Sequence, residues 1–224
     1  MRKWISYLIL SVLIPLVTVG GAYIFKGKRY AFVSLAVTVL SCVPFFIAYE
    51  KKEQSVTRLI LVGVMTALSV VGRAVFAVVP GFKPVTAIVI IAAVYFGGEA
   101  GFMTGALTAV LSNFYFGQGM WTPFQMFTWG IIGLVAGIMS QSLKSSRLKL
   151  SVYGAVTGVL FSLIMDVWDV IWYDGYLNWE RYKAMVISSM SFTVIYAVSN
   201  VIFLLIFMKP IGDKLERIKV KYGI

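Results

Sequence analysis

Histidine is absent from this chain, cysteine occurs once, and aspartate and glutamate together number nine among 224 residues. Without histidine there is no imidazole for acid–base chemistry or metal ligation. The single thiol, Cys42, sits inside an apolar run and has no internal partner for a disulfide. The few carboxylates form no repeated metal-binding clusters, and no nucleophile-and-base pair or glycine-rich phosphate loop accompanies them. Charge of either sign is scarce, at 13% of residues, where soluble proteins carry about a quarter. Apolar side chains fill the space: 60% of residues are hydrophobic, 15% aromatic, and the mean hydropathy is +0.89. That balance specifies an integral membrane protein. At roughly 20 residues per span the length accommodates about eight helices, with no soluble catalytic or nucleotide-binding domain expected, so energy for any transport has to come from a gradient or a partner.

Apolar runs bounded by charge, glycine or proline predict helices over 5–25, 30–49, 57–79, 85–97, 100–116, 122–142, 150–172 and 184–208. The fold expected is all-α: two extra transmembrane helices in residues 1–50, then a six-helix core in 51–224, with the break at "AYEKKEQSVTR". The basic start of the first run is read as a retained helix and not as a cleaved signal. The run 85–97 is too short to cross a hydrocarbon core of about 30 Å, which predicts a helix packed inside the bundle. The formal charge of +11 sits at the ends of the runs and not on one polar face. It therefore reads as a topology signal, not a nucleic-acid footprint. With both termini cytoplasmic, most of the 20 lysines and arginines fall inside, among them Lys51, Lys52, Arg58, Lys144, Arg147, Lys149, Lys209, Lys214 and Arg217. The "KGKR" turn at 26–29 opposes this orientation.

One stretch breaks the apolar pattern. "SNFYFGQGMWTPFQMFTWG", Ser112 to Gly130, sets Asn113, Gln118 and Gln125 among aromatics, glycines and a proline, with Trp121 and Trp129 close by. In the same topology the end of the 150–172 run reaches the same outward level with "MDVWDVIWYDGYLNW", carrying Asp166, Asp169 and Trp172. Tryptophan and tyrosine at headgroup depth also form the ordinary aromatic belt of membrane proteins, and Trp172, Tyr173 and Trp179 are open to that reading. Amides and carboxylates at membrane depth are not, because an unpaired polar group there costs several kcal/mol. Flat aromatic faces with a few polar groups are what a small-molecule pocket requires. Arg73 lies as deep in its run as Asp166 does in its own, which predicts an intramembrane ion pair, with Asp169 as the alternative partner.

Small residues recur every fourth position: Gly63 and Ala67; Gly101, Gly105 and Ala109; Gly133 and Gly137; Gly154 and Gly158. Such stripes let helices approach closely. The last three are expected to be internal packing, while Gly63 and Ala67 are placed to face a partner. The acidic "DVWDVIWYD" raises a membrane prenyltransferase-like enzyme as an alternative, weakened by the lack of a second aspartate cluster. An autonomous secondary transporter is the other alternative.

The run from Arg58 to Gly137, "RLILVGVMTALSVVGRAVFAVVPGFKPVTAIVIIAAVYFGGEAGFMTGALTAVLSNFYFGQGMWTPFQMFTWGIIGLVAG", resembles the substrate-specific S component of energy-coupling factor (ECF-type) vitamin transporters. The proline-glycine turn, the "FGGEAGF" turn and the "FGQGMWTPFQM" mouth carry the likeness. The resemblance implies a subunit of a multi-pass bacterial cell membrane that is not itself an enzyme. It implies capture of a vitamin outside and its release inside once docked on a membrane scaffold with two ATPases, which use the ATP. It implies docking through Gly63 and Ala67, where the family more often has two alanines, and a lid at 79–85 that brings Lys83 to the site. The substrate expected first is cobalamin or a related corrinoid, then riboflavin or another ring vitamin. No cofactor or metal is expected in the chain.

Overall fold

The computed structural model describes residues 56–119 and 121–222, together with Ala36, Val39, Leu40, Cys42 and Val43, and every regular element among them is helical. The core runs α1 (Val56–Val75), one 3₁₀ turn (Phe76–Val78), α2 (Val85–Phe96), α3 (Gly98–Phe116), α4 (Thr122–Ile138), α5 (Ser140–Ser145), α6 (Arg147–Asp174) and α7 (Trp179–Tyr222). Three of these, α1 with its 3₁₀ turn, α6 and α7, are long and apolar enough to cross a membrane. The predicted helices over 5–25 and 30–49, and the boundary near residue 50, lie outside the described residues. Cys42 is described, and it is buried against Phe102 and Ala106 of α3.

Helix α2 is the centre of the bundle. Its 12 residues rise only about 18 Å, and all but Tyr95 are buried. A helix that is apolar on every face is stable only when surrounded, and α2 packs against α1, α3, α4, α6 and α7. It starts after Pro84 and stops at Gly97, whose positive φ of 92° turns the chain directly into α3. The antiparallel pairs α3/α4 and α6/α7 enclose it through glycine contacts. A Cβ at Gly105 would lie 2.6 Å from the Trp129 carbonyl oxygen, and one at Gly158 would lie 2.6 Å from the Cα of Ala197.

Two helix predictions change. The run 122–142 divides at Met139 into α4 and the short α5. The run 184–208 extends in both directions, to Trp179–Tyr222. Its N-terminal extension is capped by Asn178, whose Oδ1 accepts from the N–H groups of Glu180 and Arg181 at 3.1 and 3.3 Å. Its C-terminal extension is charged, so hydropathy ended the prediction too early. Ile211, Leu215 and Ile218 nonetheless keep helical spacing and pack on the core.

The bundle has two chemically different ends. One carries Arg58, Lys144, Arg147, Lys149, Lys209, Lys214 and Arg217. The other carries the 79–84 loop, the 117–121 turn and the 175–178 turn, with Tyr115, Trp121, Trp172, Tyr173 and Trp179 exposed.

Candidate ligand-binding site

At the aromatic end, α1 contributes Arg73 in its last turn. Its guanidinium donates to Ser112 Oγ, and to Asn113 Oδ1 at 2.8 Å. Its plane lies over Phe116 at 4.5 Å and near Trp129 at 5.5 Å. Asn113 passes the network on: its Nδ2 donates to Gln125 Oε1 at 2.8 Å and to Thr122 Oγ1 at 2.9 Å. Thr122 in turn donates to Gln118 Oε1 at 3.0 Å, and Gln118 Nε2 reaches the Val110 carbonyl at 2.7 Å. The amides of Ser112–Gly130 therefore form one continuous chain that ties the end of α3 to the start of α4 and holds Arg73. With Asn113 only 1% exposed, each of these bonds answers a polar group that would otherwise be costly to bury.

The expected ion pair between Arg73 and Asp166 does not form. Asp166 is buried at the α6/α7 contact and accepts from Ser189 Oγ at 2.7 Å. Asp169 is half-buried on α6 and makes no ion pair with a described residue either. Ion pairs between described residues form at Lys144–Glu216, Arg181–Asp174 and Lys183–Glu180, and none joins Arg73 to a described carboxylate. Equal depth along two helices says nothing about whether their faces turn toward each other. Here α3 supplies the nearer acceptors, Ser112 and Asn113.

Lys83 lies beyond Trp129. The preceding turn is made by Pro80 and Gly81: Phe82 N–H bonds the Val79 carbonyl at 3.1 Å, and Gly81 has φ +80°. Ser199 of α7 clamps the loop, accepting from the Lys83 N–H at 2.9 Å and donating to its carbonyl at 3.0 Å. The ammonium sits within 6 Å of three ring centroids, Tyr196 at 5.2, Phe161 at 5.7 and Trp129 at 5.8 Å, a geometry in which the ring faces attract a cation. Burial, and after it the Arg73 charge, push the Lys83 ammonium down to about 7. Trp129 and Phe161 are stacked, 5.1 Å apart and 16° from parallel. The enclosed cavity between these groups is lined by Gly81, Lys83, Thr86, Trp129, Phe161 and Tyr196, with Gly158 and Asn200 below. Its volume is about 10 Å³, room for one water at most, so a ring-sized ligand requires the 79–84 loop and the rings to separate.

The structure thus brings Arg73, Lys83, Asn113, Gln118, Gln125 and Trp129 to one end of α2, with Trp129 touching both polar groups. Trp121 is at the rim, 40% exposed. Trp172 is 50% exposed beside Trp168, and neither it nor Asp166 nor Asp169 lines the cavity. Phe161, Tyr196, Ser199 and Asn200 were missed by sequence reading, because they sit in ordinary apolar stretches of α6 and α7. The one signal was periodicity, since Tyr196 and Asn200 are one turn apart on one helix face. Gly63 and Ala67 are exposed on α1, and a Cβ on Gly63 would meet nothing within 4 Å.

A short loop is thus clamped over a half-buried lysine among aromatic rings, beside an amide network, on an all-helical membrane scaffold. The family model described as the ECF-type riboflavin transporter, S component, matches residues 53–213, well over half of the chain. The chain belongs to this family. No curated protein and no solved structure matches it. As an ECF S component it is a vitamin-transport subunit, and the matched region runs from just before α1 to Asp213 in α7, covering every residue of the site.

Proposed function

We propose that this S component captures riboflavin, or a flavin with the same ring, at the Arg73–Trp129–Lys83 site and delivers it inward when docked on its transporter partners. The observation that carries the substrate reading is a pair of half-buried basic side chains flanking a stacked tryptophan and phenylalanine. An isoalloxazine is flat, which suits insertion against aromatic faces. Its pyrimidinedione edge offers carbonyl acceptors for Lys83 or Arg73, and the hydroxyls of its side chain suit the Asn113–Gln125 amides. The family description points the same way. A corrinoid, the substrate first expected from sequence, draws no support from either, and the charged side chain lining the cavity is the basic Lys83.

The excess of lysine and arginine at the α5/α6 end favours a cytoplasmic position for that end and an outward position for the lid. Docking is assigned to Gly63 and Ala67, whose small side chains leave α1 open to close helix approach. ATP hydrolysis then belongs to the partner ATPases. Titration of the purified protein with riboflavin tests the substrate, since flavin fluorescence is quenched on stacking against Trp129. Saturable quenching with no comparable binding of cyanocobalamin supports the proposal. Retention of a corrinoid absorbance band with no flavin binding overturns it. Uptake into liposomes by the lone chain under an ion gradient would instead favour a secondary transporter.

A further inference from the structure

A cleft at the basic end is remote from the flavin site. It has a volume of about 460 Å³ and lies between the α5/α6 junction and the far half of α7, with Tyr95 of α2 at its back. Its lining is graded. Leu150, Leu204, Leu205 and Met208 form an apolar wall, and Lys144, Arg147 and Lys209 stand at the rim together with Asp213 and Glu216. The rim coincides with the change in α7 from the apolar run ending at Met208 to the charged segment that begins at Lys209. That is where the headgroup region of a bilayer has to begin.

The charges at the rim are unequally satisfied. Lys144 pairs with Glu216 at 3.4 Å and lies over the Tyr95 ring at 4.1 Å. Arg147 and Lys209 form no ion pair among the described residues, and Asp213 is the one remaining carboxylate of the lining. One positive charge is left uncompensated, matching the single negative charge of a phosphodiester. An apolar wall continuous with a cationic rim at headgroup height is the shape of a phospholipid site, and basic pockets between spanning helices bind anionic headgroups.

We infer that this cleft holds one anionic glycerophospholipid, its phosphodiester on Arg147 and Lys209 and an acyl chain along Leu150, Leu205 and Met208. The lipid ties the start of α6 to the charged extension of α7 and so braces the basic end. The site is independent of the flavin reading, because no residue lines both cavities.

The test is native mass spectrometry and thermal unfolding of the full chain in detergent, titrated with dioleoyl phosphatidylglycerol, phosphatidylethanolamine, phosphatidylcholine or inorganic phosphate. One phosphatidylglycerol per chain is expected to bind preferentially and to raise the unfolding temperature, with affinity falling as salt is added. Arg147→Gln with Lys209→Gln is expected to lower that affinity roughly thirtyfold while leaving riboflavin quenching intact. Leu205→Trp, which fills the apolar wall and keeps every charge, is expected to lower it as well. Equal binding of the zwitterionic lipids, or unchanged affinity in both variants, overturns the inference. Inorganic phosphate competing at the same concentration as the lipid also overturns it, by marking a site for a soluble anion. If the charge variant fails to fold, the lipid comparison on the natural chain decides the question alone.

Discussion

Glycine and alanine at four-residue spacing occur in two very different settings in this bundle. On α3, α4 and α6 the stripes are pressed against neighbouring backbone: Gly105 against Trp129, Gly133 against Gly101, Gly158 against Ala197. On α1 the same spacing, at Gly63 and Ala67, faces outward with nothing beside it. The motif is identical to the eye, yet in the first setting it lets helices of one chain approach closely, and in the second it leaves a shallow strip with no occupant from the described chain. A small-residue stripe therefore states only that a close approach is possible. The surrounding fold decides who approaches.

The sharpest way to break this contrast is to add bulk inside. Gly105→Leu or Gly158→Leu sets a side chain against backbone that cannot rotate away, and each is expected to cost about 3 kcal/mol or more. Thermal unfolding in detergent should show a large drop, with flavin binding lost alongside it. A well-folded Gly105→Leu protein with unchanged unfolding temperature would remove the distinction between the two stripes.

A smaller loss is expected at the polar network that the inner packing supports. Arg73→Met strands the Asn113 carbonyl oxygen in a buried place, at a cost of about 1–3 kcal/mol. A double-mutant cycle of Arg73→Met with Asn113→Leu should give a coupling of at least about 0.5 kcal/mol, whereas Arg73→Met with Asp166→Leu should be additive. Coupling to Asp166 and not to Asn113 would restore the ion pair that equal helix depth suggested.

Lys83 sharpens the comparison through pH. Its folded pKa is lowered to about 7, so between there and the ordinary lysine value near 10.4 the unfolded chain carries the extra proton. Stability contributed by this residue should consequently rise with pH across that window and flatten above it. The difference between natural protein and Lys83→Met, followed by unfolding from pH 6 to about 10, reads the effect directly; a pH-independent difference would show that the cage does not perturb the ammonium. Riboflavin affinity of Lys83→Met should fall about tenfold, the worth of one hydrogen bond to a charged donor.

The least effect on the isolated protein is expected at the outer strip. Gly63→Trp meets open space, so unfolding should change by no more than about 0.5 kcal/mol and riboflavin quenching should persist. Co-purification with the transporter scaffold should be lost. Loss of flavin binding in this variant would mean that α1 packs inward here, as the other stripes do.

Much of this architecture was legible in advance because the relevant signals are local. The shortness of 85–97 required a buried helix, and α2 is one. The clustering of Asn113, Gln118 and Gln125 required hydrogen-bond partners, and they found one another across a single turn between consecutive helices. The far half of α7 was lost because charge masked an amphipathic face that runs through Ile211, Leu215 and Ile218.

By itself, then, the sequence determined that the protein lives in a bilayer, where its helices begin to be apolar, which end is basic, and that polar groups gather near residues 112–130. Composition and periodicity report how deep a residue sits, since depth is set by its own neighbours along the chain. Rotation of each helix about its axis is set by packing against helices distant in sequence, and only the tertiary structure decided it. That rotation gave Arg73 to Asn113 instead of Asp166, closed Trp129, Phe161 and Tyr196 around Lys83, and turned Gly158 inward while leaving Gly63 bare.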